Sequence, residues 1–199
     1  MNEALARVGM FGGAFDPPHR AHVALARAAI EQLKLDRLCV MPTGQAWHKD
    51  RTLTSAEHRL ALTRLAFDGV PNVEVDDREL RRAGPTYSVD TLRELHDEHP
   101  VAQLYLLMGD DQAAGFTHWM AWQEIARMAV LCVAGRGPGS GLAALRALPG
   151  VRVEALQWAQ MPESATEIRS RLAAGQDIAD LVEPAVASYI ESQHLYKSA

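Results

Sequence analysis

Apolar and polar positions along the chain fall into two alternating patterns. Short continuous apolar runs recur: RVGMF at 7–11, RLCVMPT at 37–43, QLYLLMG at 103–109 and MAVLCVAGR at 128–136. Runs of this length, bounded by turn residues, predict strands buried on both faces. NVEVDDREL at 72–80 is strand-like, and VRVEAL at 151–156 reads as a short strand. Between the runs, apolar residues take helical spacing: over 20–34, over 55–67 with Ser55 as cap, over 88–99, near 119–127 and over 141–148. From 165 onward the pattern is helical. Strands alternating with helices predict an α/β fold, a doubly wound and mostly parallel sheet with a C-terminal helical portion over about 160–199. There is no internal repeat and no linker, and the Gly-rich GRGPGSG at 135–141 is short enough for a loop. The expectation is one domain over 1–199.

Composition narrows the function classes. A net charge of −5 gives no extended basic surface, so nucleic acid is not an expected partner. An anionic ligand needs a local cluster of cations or a helix N-terminus. Cys39 and Cys132 each sit inside an apolar run and read as buried thiols, not as a disulfide or metal site. The opening MNEALARVGMF carries no apolar leader pattern, and no stretch reaches membrane-spanning length. The expected compartment is cytoplasmic.

The candidate chemistry lies at two strand-to-helix junctions. In GMFGGAFDPPHRAHVALARAAI, 9–30, Gly12 and Gly13 end the first strand and allow close backbone approach. Pro17 and Pro18 suit an entry into a helix, where missing N–H groups do little harm and the helix start favours an anion. His19 and His22 share a face if the helix includes them, and both can donate to phosphate oxygens. In a doubly wound sheet this is the end of the strands where ligands bind. Taken alone, two glycines are turn chemistry and a histidine pair is a packing feature. Neither G-x-G-x-x-G nor a P-loop occurs, and a zinc reading lacks a third ligand. In PESATEIRSRL, 162–172, Ser164 caps a helix and Glu167 reciprocates. Ser164 and Thr166 offer hydroxyls there. Arg169, a cation in the first turn, opposes the dipole and offers a planar fork for phosphate.

GGAFDPPHRAH resembles the GGxFDPxHxGH signature of the nucleotidylyltransferase superfamily, and ESATEIRSRL resembles its second signature, IS(S/A)TxIR. The remaining segments are similar to those of bacterial nicotinate-nucleotide adenylyltransferases: DRELRRAGPTYSVDTL at 77–92, LLMGDDQ at 106–112, HWMAWQEI at 118–125 and AGRGPG at 134–139. The resemblance runs from about Val8 to Tyr196. It implies a Rossmann-like nucleotidylyltransferase fold and adenylyl transfer from ATP to nicotinate mononucleotide, with Mg2+ and no covalent enzyme intermediate. By that likeness His19, His22 and Arg169 are catalytic, with His19 nearest the α-phosphate. Gly12, Gly13 and Phe15 line the nucleotide, Asp110 accepts from ribose, and Ser164, Thr166 and Arg169 hold the β- and γ-phosphates. Trp119 stacks on the pyridine ring, Thr86 and Tyr87 face its carboxylate, and His48, Lys49 and Arg136 surround the acceptor phosphate. Ser88 is expected to cap the helix behind that turn, so that its N–H donors favour a carboxylate over an amide.

Three positions depart from the family pattern: Ala21 for glycine, Trp47 in AWHK for proline, and Glu163 for isoleucine. Two other readings stand beside the leading one. The acceptor is nicotinamide mononucleotide or phosphopantetheine, or the protein is a nucleotide-binding regulator without turnover.

Overall fold

The computed structural model describes residues 5–44, 53–135, 140–158, 161 and 163–197. Six parallel strands form one sheet in the order β3-β2-β1-β4-β5-β6. They are β1 (Arg7–Gly13), β2 (Arg37–Pro42), β3 (Val73–Val75), β4 (Gln103–Gly109), β5 (Ala129–Ala134) and β6 (Val153–Leu156). The chain winds outward from β1 to β3, returns to β4 beside β1, and winds the other way. The strand order therefore reverses between β1 and β4, where a doubly wound sheet opens its ligand crevice.

Both faces of the sheet are covered, which is why the strands read as continuous apolar runs. Leu38, Val40, Tyr105 and Leu107 point to one face, and Cys39, Met41, Leu104, Leu106 and Met108 to the other. The first face packs on α1 (Arg20–Leu33), α2 (Ala56–Phe67), α8 (Ala165–Ala173) and α9 (Pro184–Ser192). The second packs on α4 (Ser88–Glu98), α5 (Asp110–Ala114), α6 (Trp122–Met128) and α7 (Ser140–Arg146). Cys39 and Cys132 are both buried, and burial pushes each thiol up to about 12.

Several boundaries differ from the sequence reading. The strand expected over 72–80 stops at Val75, and α3 (Arg78–Arg81) follows. Asp76 ends it: its carboxylate accepts from the backbone N–H of Arg78 at 2.8 Å and from Arg78 Nε at 2.7 Å, folding the chain into a turn. The helix expected near 119–127 starts at Trp122, leaving Trp119 after a 3-10 turn at Phe116–His118. The short α5 had no sequence signal long enough to separate it from a loop. The C-terminal portion is two helices, α8 and α9, with a turn at Gly175 (φ +68°) between them. Ser55 caps α2 as expected, accepting from the backbone N–H of His58 at 3.3 Å.

Candidate active site

The carboxyl end of β1 with the residue after it, Gly12–Gly13–Ala14, forms a crest between two clefts. On the α4 side opens a cavity of about 380 Å³. Gly12, Gly13, Thr86, Tyr87 and Trp119 all line it, so five predicted residues from three parts of the chain come together. Trp119 has two roles, because its ring also lies 5.8 Å from that of Phe116 in the core. Ser88 is not the cap it was expected to be. Tyr87 occupies the N-cap position in extended backbone and Ser88 is the first helical residue. The reason is local: the N–H groups of Asp90 and Thr91 turn back to the Tyr87 carbonyl, which closes the first turn one residue earlier. Ser88 still lines the cavity, so the positive end of α4 faces it. Thr86 is 8% exposed, and its hydroxyl has no partner among the described residues.

On the α1 side sits the histidine pair. His19 is the N-cap of α1, in extended backbone, so the pair does not share helical turns as the sequence suggested. The rings nevertheless lie 3.8 Å apart, tilted by 33°. The N–H of His19 donates to His22 Nδ1 at 3.2 Å, which places the His22 proton on Nε2. Burial lowers the His19 pKa to about 4, so the apo ring is neutral, and its Nδ1 has no partner among the described residues. The open N–H groups expected at this helix start are partly used: Arg20 N donates to the Leu181 carbonyl at 3.0 Å. Gly13 serves its own loop. A Cβ there would meet the Phe15 ring at 2.9 Å, while at Gly12 it would meet only the Met10 methyl at 3.9 Å.

The second junction arrives at the same place. Ser164 caps α8, accepting from Glu167 N at 3.1 Å. Glu167 does not reciprocate as expected; its carboxylate takes Arg171 Nη2 at 2.7 Å, because the i,i+4 cation lies within reach along the helix. Arg169 Nη1 donates to the Asp16 carbonyl at 2.7 Å and Nη2 to Thr166 Oγ1 at 3.1 Å. The two signature junctions, 153 residues apart between Asp16 and Arg169, thus touch just ahead of His19.

Asp110 opens α5 and accepts from Leu142 N at 3.1 Å, binding one carboxylate oxygen to α7. Its neighbours Asp111 and Gln112 line the cavity. Ala21 is buried. Glu163 is half-buried, with Oε2 enclosed and without a partner among the described residues. His48, Lys49, Arg136 and Trp47 lie outside the described residues.

Sequence reasoning missed the residues that hold this frame. Arg59 is 3% exposed; its guanidinium donates to the carbonyls of Ala14 at 3.1 Å, Thr43 at 2.8 Å and Thr54 at 3.0 Å, clamping the ends of β1 and β2. One signal was available: Arg59 heads the buried stripe Leu62, Thr63 and Ala66 at helical spacing. Asp16 and Tyr196 carried no such signal, and Glu79 sat within a segment read as strand.

Residues 10–171 match the cytidylyltransferase-like family. A relative from Albidiferax ferrireducens, named "Probable nicotinate-nucleotide adenylyltransferase", is 50% identical over 98% of this chain and 100% of its own. One of the same name from Methylibium petroleiphilum is 42% identical over 96% of this chain and 92% of its own. Among solved structures, the Plasmodium falciparum nicotinic acid mononucleotide adenylyltransferase complexed with NaAD has the same fold. Its TM-score is 0.78 at 21% identity, covering 96% of this chain and 97% of that one. The same enzyme complexed with APC gives a TM-score of 0.78 at 18% identity, covering 96% of this chain and 97% of that one.

Proposed function

The chain belongs to the cytidylyltransferase-like family, among the nicotinate-nucleotide adenylyltransferases, and from that membership we propose that it transfers the adenylyl group of ATP to nicotinate mononucleotide. The products are deamido-NAD and pyrophosphate, which makes this an enzyme of NAD biosynthesis. One observation carries the reading beyond family likeness. The Arg169–Asp16 contact assembles a phosphate cradle beside His19, and the cavity lined by Trp119 opens on the other side of the same glycine crest.

The acceptor lies in the cavity. Trp119 stacks on its pyridine ring, Thr86 and Tyr87 present backbone groups to its carboxylate, and His48, Lys49 and Arg136 hold its phosphate. ATP lies along the crest, with Gly12, Gly13 and Phe15 against the nucleotide. Asp110 accepts from ribose with the oxygen not given to Leu142. His19 and His22 face the α-phosphate, and Ser164, Thr166 and Arg169 the β- and γ-phosphates. An oxygen of the acceptor phosphate attacks the α-phosphorus. The new P–O bond forms as the bond to the bridging oxygen breaks, and its electron pair leaves with pyrophosphate. No proton transfer is required, so catalysis is positioning and charge stabilisation.

Mg2+ fits the donor set here. It prefers one or two carboxylates plus nucleotide phosphates, and Glu163 offers an enclosed, unpartnered Oε2 among the described residues beside the capping Ser164. When bound it would supply charge neutralisation on the phosphates. No described helix is long and apolar enough to cross a membrane. We place the reaction in the cytoplasm, in one domain spanning the chain, a reading supported by the two buried free thiols.

Purified protein with ATP, Mg2+ and nicotinate mononucleotide is expected to release pyrophosphate and deamido-NAD in equal amounts. Nucleotide binding without turnover would make it the regulator. Product from phosphopantetheine alone would move it to another acceptor class.

A further inference from the structure

We propose that Tyr196, at the far end of the chain, is a positioning residue for ATP, acting through Asp16 on the phosphate cradle. The proposal rests on the adenylyl-transfer reading of that cradle. Tyr196 Oη donates to Asp16 Oδ1 at 2.6 Å, across 180 residues of sequence. Asp16 is 1% exposed, and its Oδ2 accepts from the backbone N–H of Thr54 at 3.3 Å. Its carbonyl accepts Arg169 Nη1 at 2.7 Å. Asp16 is therefore held at both ends: the carboxylate by the C-terminal segment and the strand-to-α2 loop, the carbonyl by the arginine that faces phosphate.

A buried carboxylate is costly unless its oxygens are satisfied. Here the phenol donates to one oxygen and the Thr54 N–H to the other, and the phenol can do so at any working pH. Burial first, then Asp16 itself, holds the Tyr196 hydroxyl well above the ordinary tyrosine range and so protonated. Without the phenol, Asp16 Oδ1 loses its 2.6 Å donor and the carboxylate loses its tie to the C-terminal segment. The Asp16–His19 corner can then shift against Arg169, whose Nη1 holds the Asp16 carbonyl. The acceptor cavity is walled by Thr86, Tyr87 and Trp119 on the opposite face of the sheet, and Asp16 does not reach it. The loss should therefore fall on ATP and spare the acceptor.

Tyr196→Phe keeps the ring and removes the hydroxyl. Its affinity for α,β-methylene ATP, measured by calorimetry, is expected to fall at least fivefold, with kcat/KM for ATP falling in step. KM for nicotinate mononucleotide should stay within twofold. Affinity for the analogue within twofold of wild type would overturn the proposal. So would an equal loss toward both substrates accompanied by a large drop in melting temperature, which marks a merely structural role. Should the variant fail to fold, wild-type protein supplies the second measurement. Linkage is reciprocal, so the analogue must slow hydrogen exchange in the peptide ending at Tyr196, and unchanged exchange would also overturn the proposal. Wild type that binds the analogue but makes no product would remove the adenylyl-transfer reading and leave the binding result to stand on its own.

Discussion

The backbone N–H of His19 donates to Nδ1 of His22 at 3.2 Å, and the two rings lie 3.8 Å apart. The His22 proton thus sits on Nε2, while burial lowers His19 to about 4 and leaves it neutral. A phosphate arriving beside His19 favours its protonated form, so the ring answers charge that develops on binding.

His19→Ala should therefore lower turnover by about 30- to 1000-fold, some 2–4 kcal/mol of barrier, with a much smaller effect on ATP binding. The same residue sets an acid sensitivity. Its folded pKa of about 4 lies below the ordinary 6.5, so the unfolded chain binds the extra proton between those values. Stability falls as pH falls through that window. Denaturant melts of His19→Gln at pH 7 and pH 5 should show a smaller difference than wild type. A parallel pH response would contradict the buried, neutral ring.

Gly12 and Gly13 both line the cavity, but only Gly13 packs tightly against its own loop. A methyl at Gly13 would meet three atoms of the Phe15 ring at 2.9–3.1 Å, and that ring is fully buried. Gly13→Ala should cost about 1–3 kcal/mol, a fall of roughly 2–4 °C in Tm per kcal/mol at this size. Gly12→Ala meets only the Met10 methyl and should leave Tm unchanged while lowering kcat/KM, because the position lines the cavity. Thermal melts and steady-state rates on the pair check this.

Arg169 uses both prongs of its fork, one on the Asp16 carbonyl and one on Thr166 Oγ1. A lysine supplies one point charge and cannot hold both acceptors in that geometry. Arg169→Lys should lower kcat/KM for ATP at least tenfold. Unchanged ATP kinetics in the lysine variant would remove the fork from the account.

Much of this architecture was legible in the sequence. Both faces of the sheet are buried, so strands such as β4 appear as unbroken apolar runs, and the two junctions carry short motifs at fixed spacing. What stayed hidden is tertiary. The Arg59 clamp reads as one charged residue among several in a helical segment, and the Tyr196–Asp16 bond joins positions 180 residues apart. Asp76 ended a strand by a side-chain turn that periodicity does not record. The cap at α4 moved by one residue because backbone N–H groups, not the Ser88 hydroxyl, closed the first turn.

Glu79 offers a test on the cavity wall. It is 3% exposed, and Thr91 Oγ1 donates to its Oε1 at 2.9 Å. Burial pushes it up to about 7, against the opposing pull of the Thr91 hydrogen bond and Arg82. The folded pKa exceeds the ordinary 4.5, so the folded protein holds the extra proton between those values. Stability is then lost as pH rises through the window. Glu79→Gln keeps an acceptor for Thr91 and removes the titration. Its Tm relative to wild type should rise between pH 5 and pH 8, and a constant difference across that range would contradict the assignment.

The cavity at the start of α4 is suited to a carboxylate. Thr86, Tyr87 and Ser88 line it at the positive end of that helix. A carboxylate accepts from such donors with both oxygens. An amide sets its own NH2 against them, at about 1–3 kcal/mol for a donor left unpaired in a partly buried site. The direct measurement is kcat/KM for nicotinate and nicotinamide mononucleotides, side by side at the same ATP and Mg2+. At least tenfold preference for the nicotinate form is expected, and equal efficiency with both would rule out recognition of the carboxylate by the start of α4.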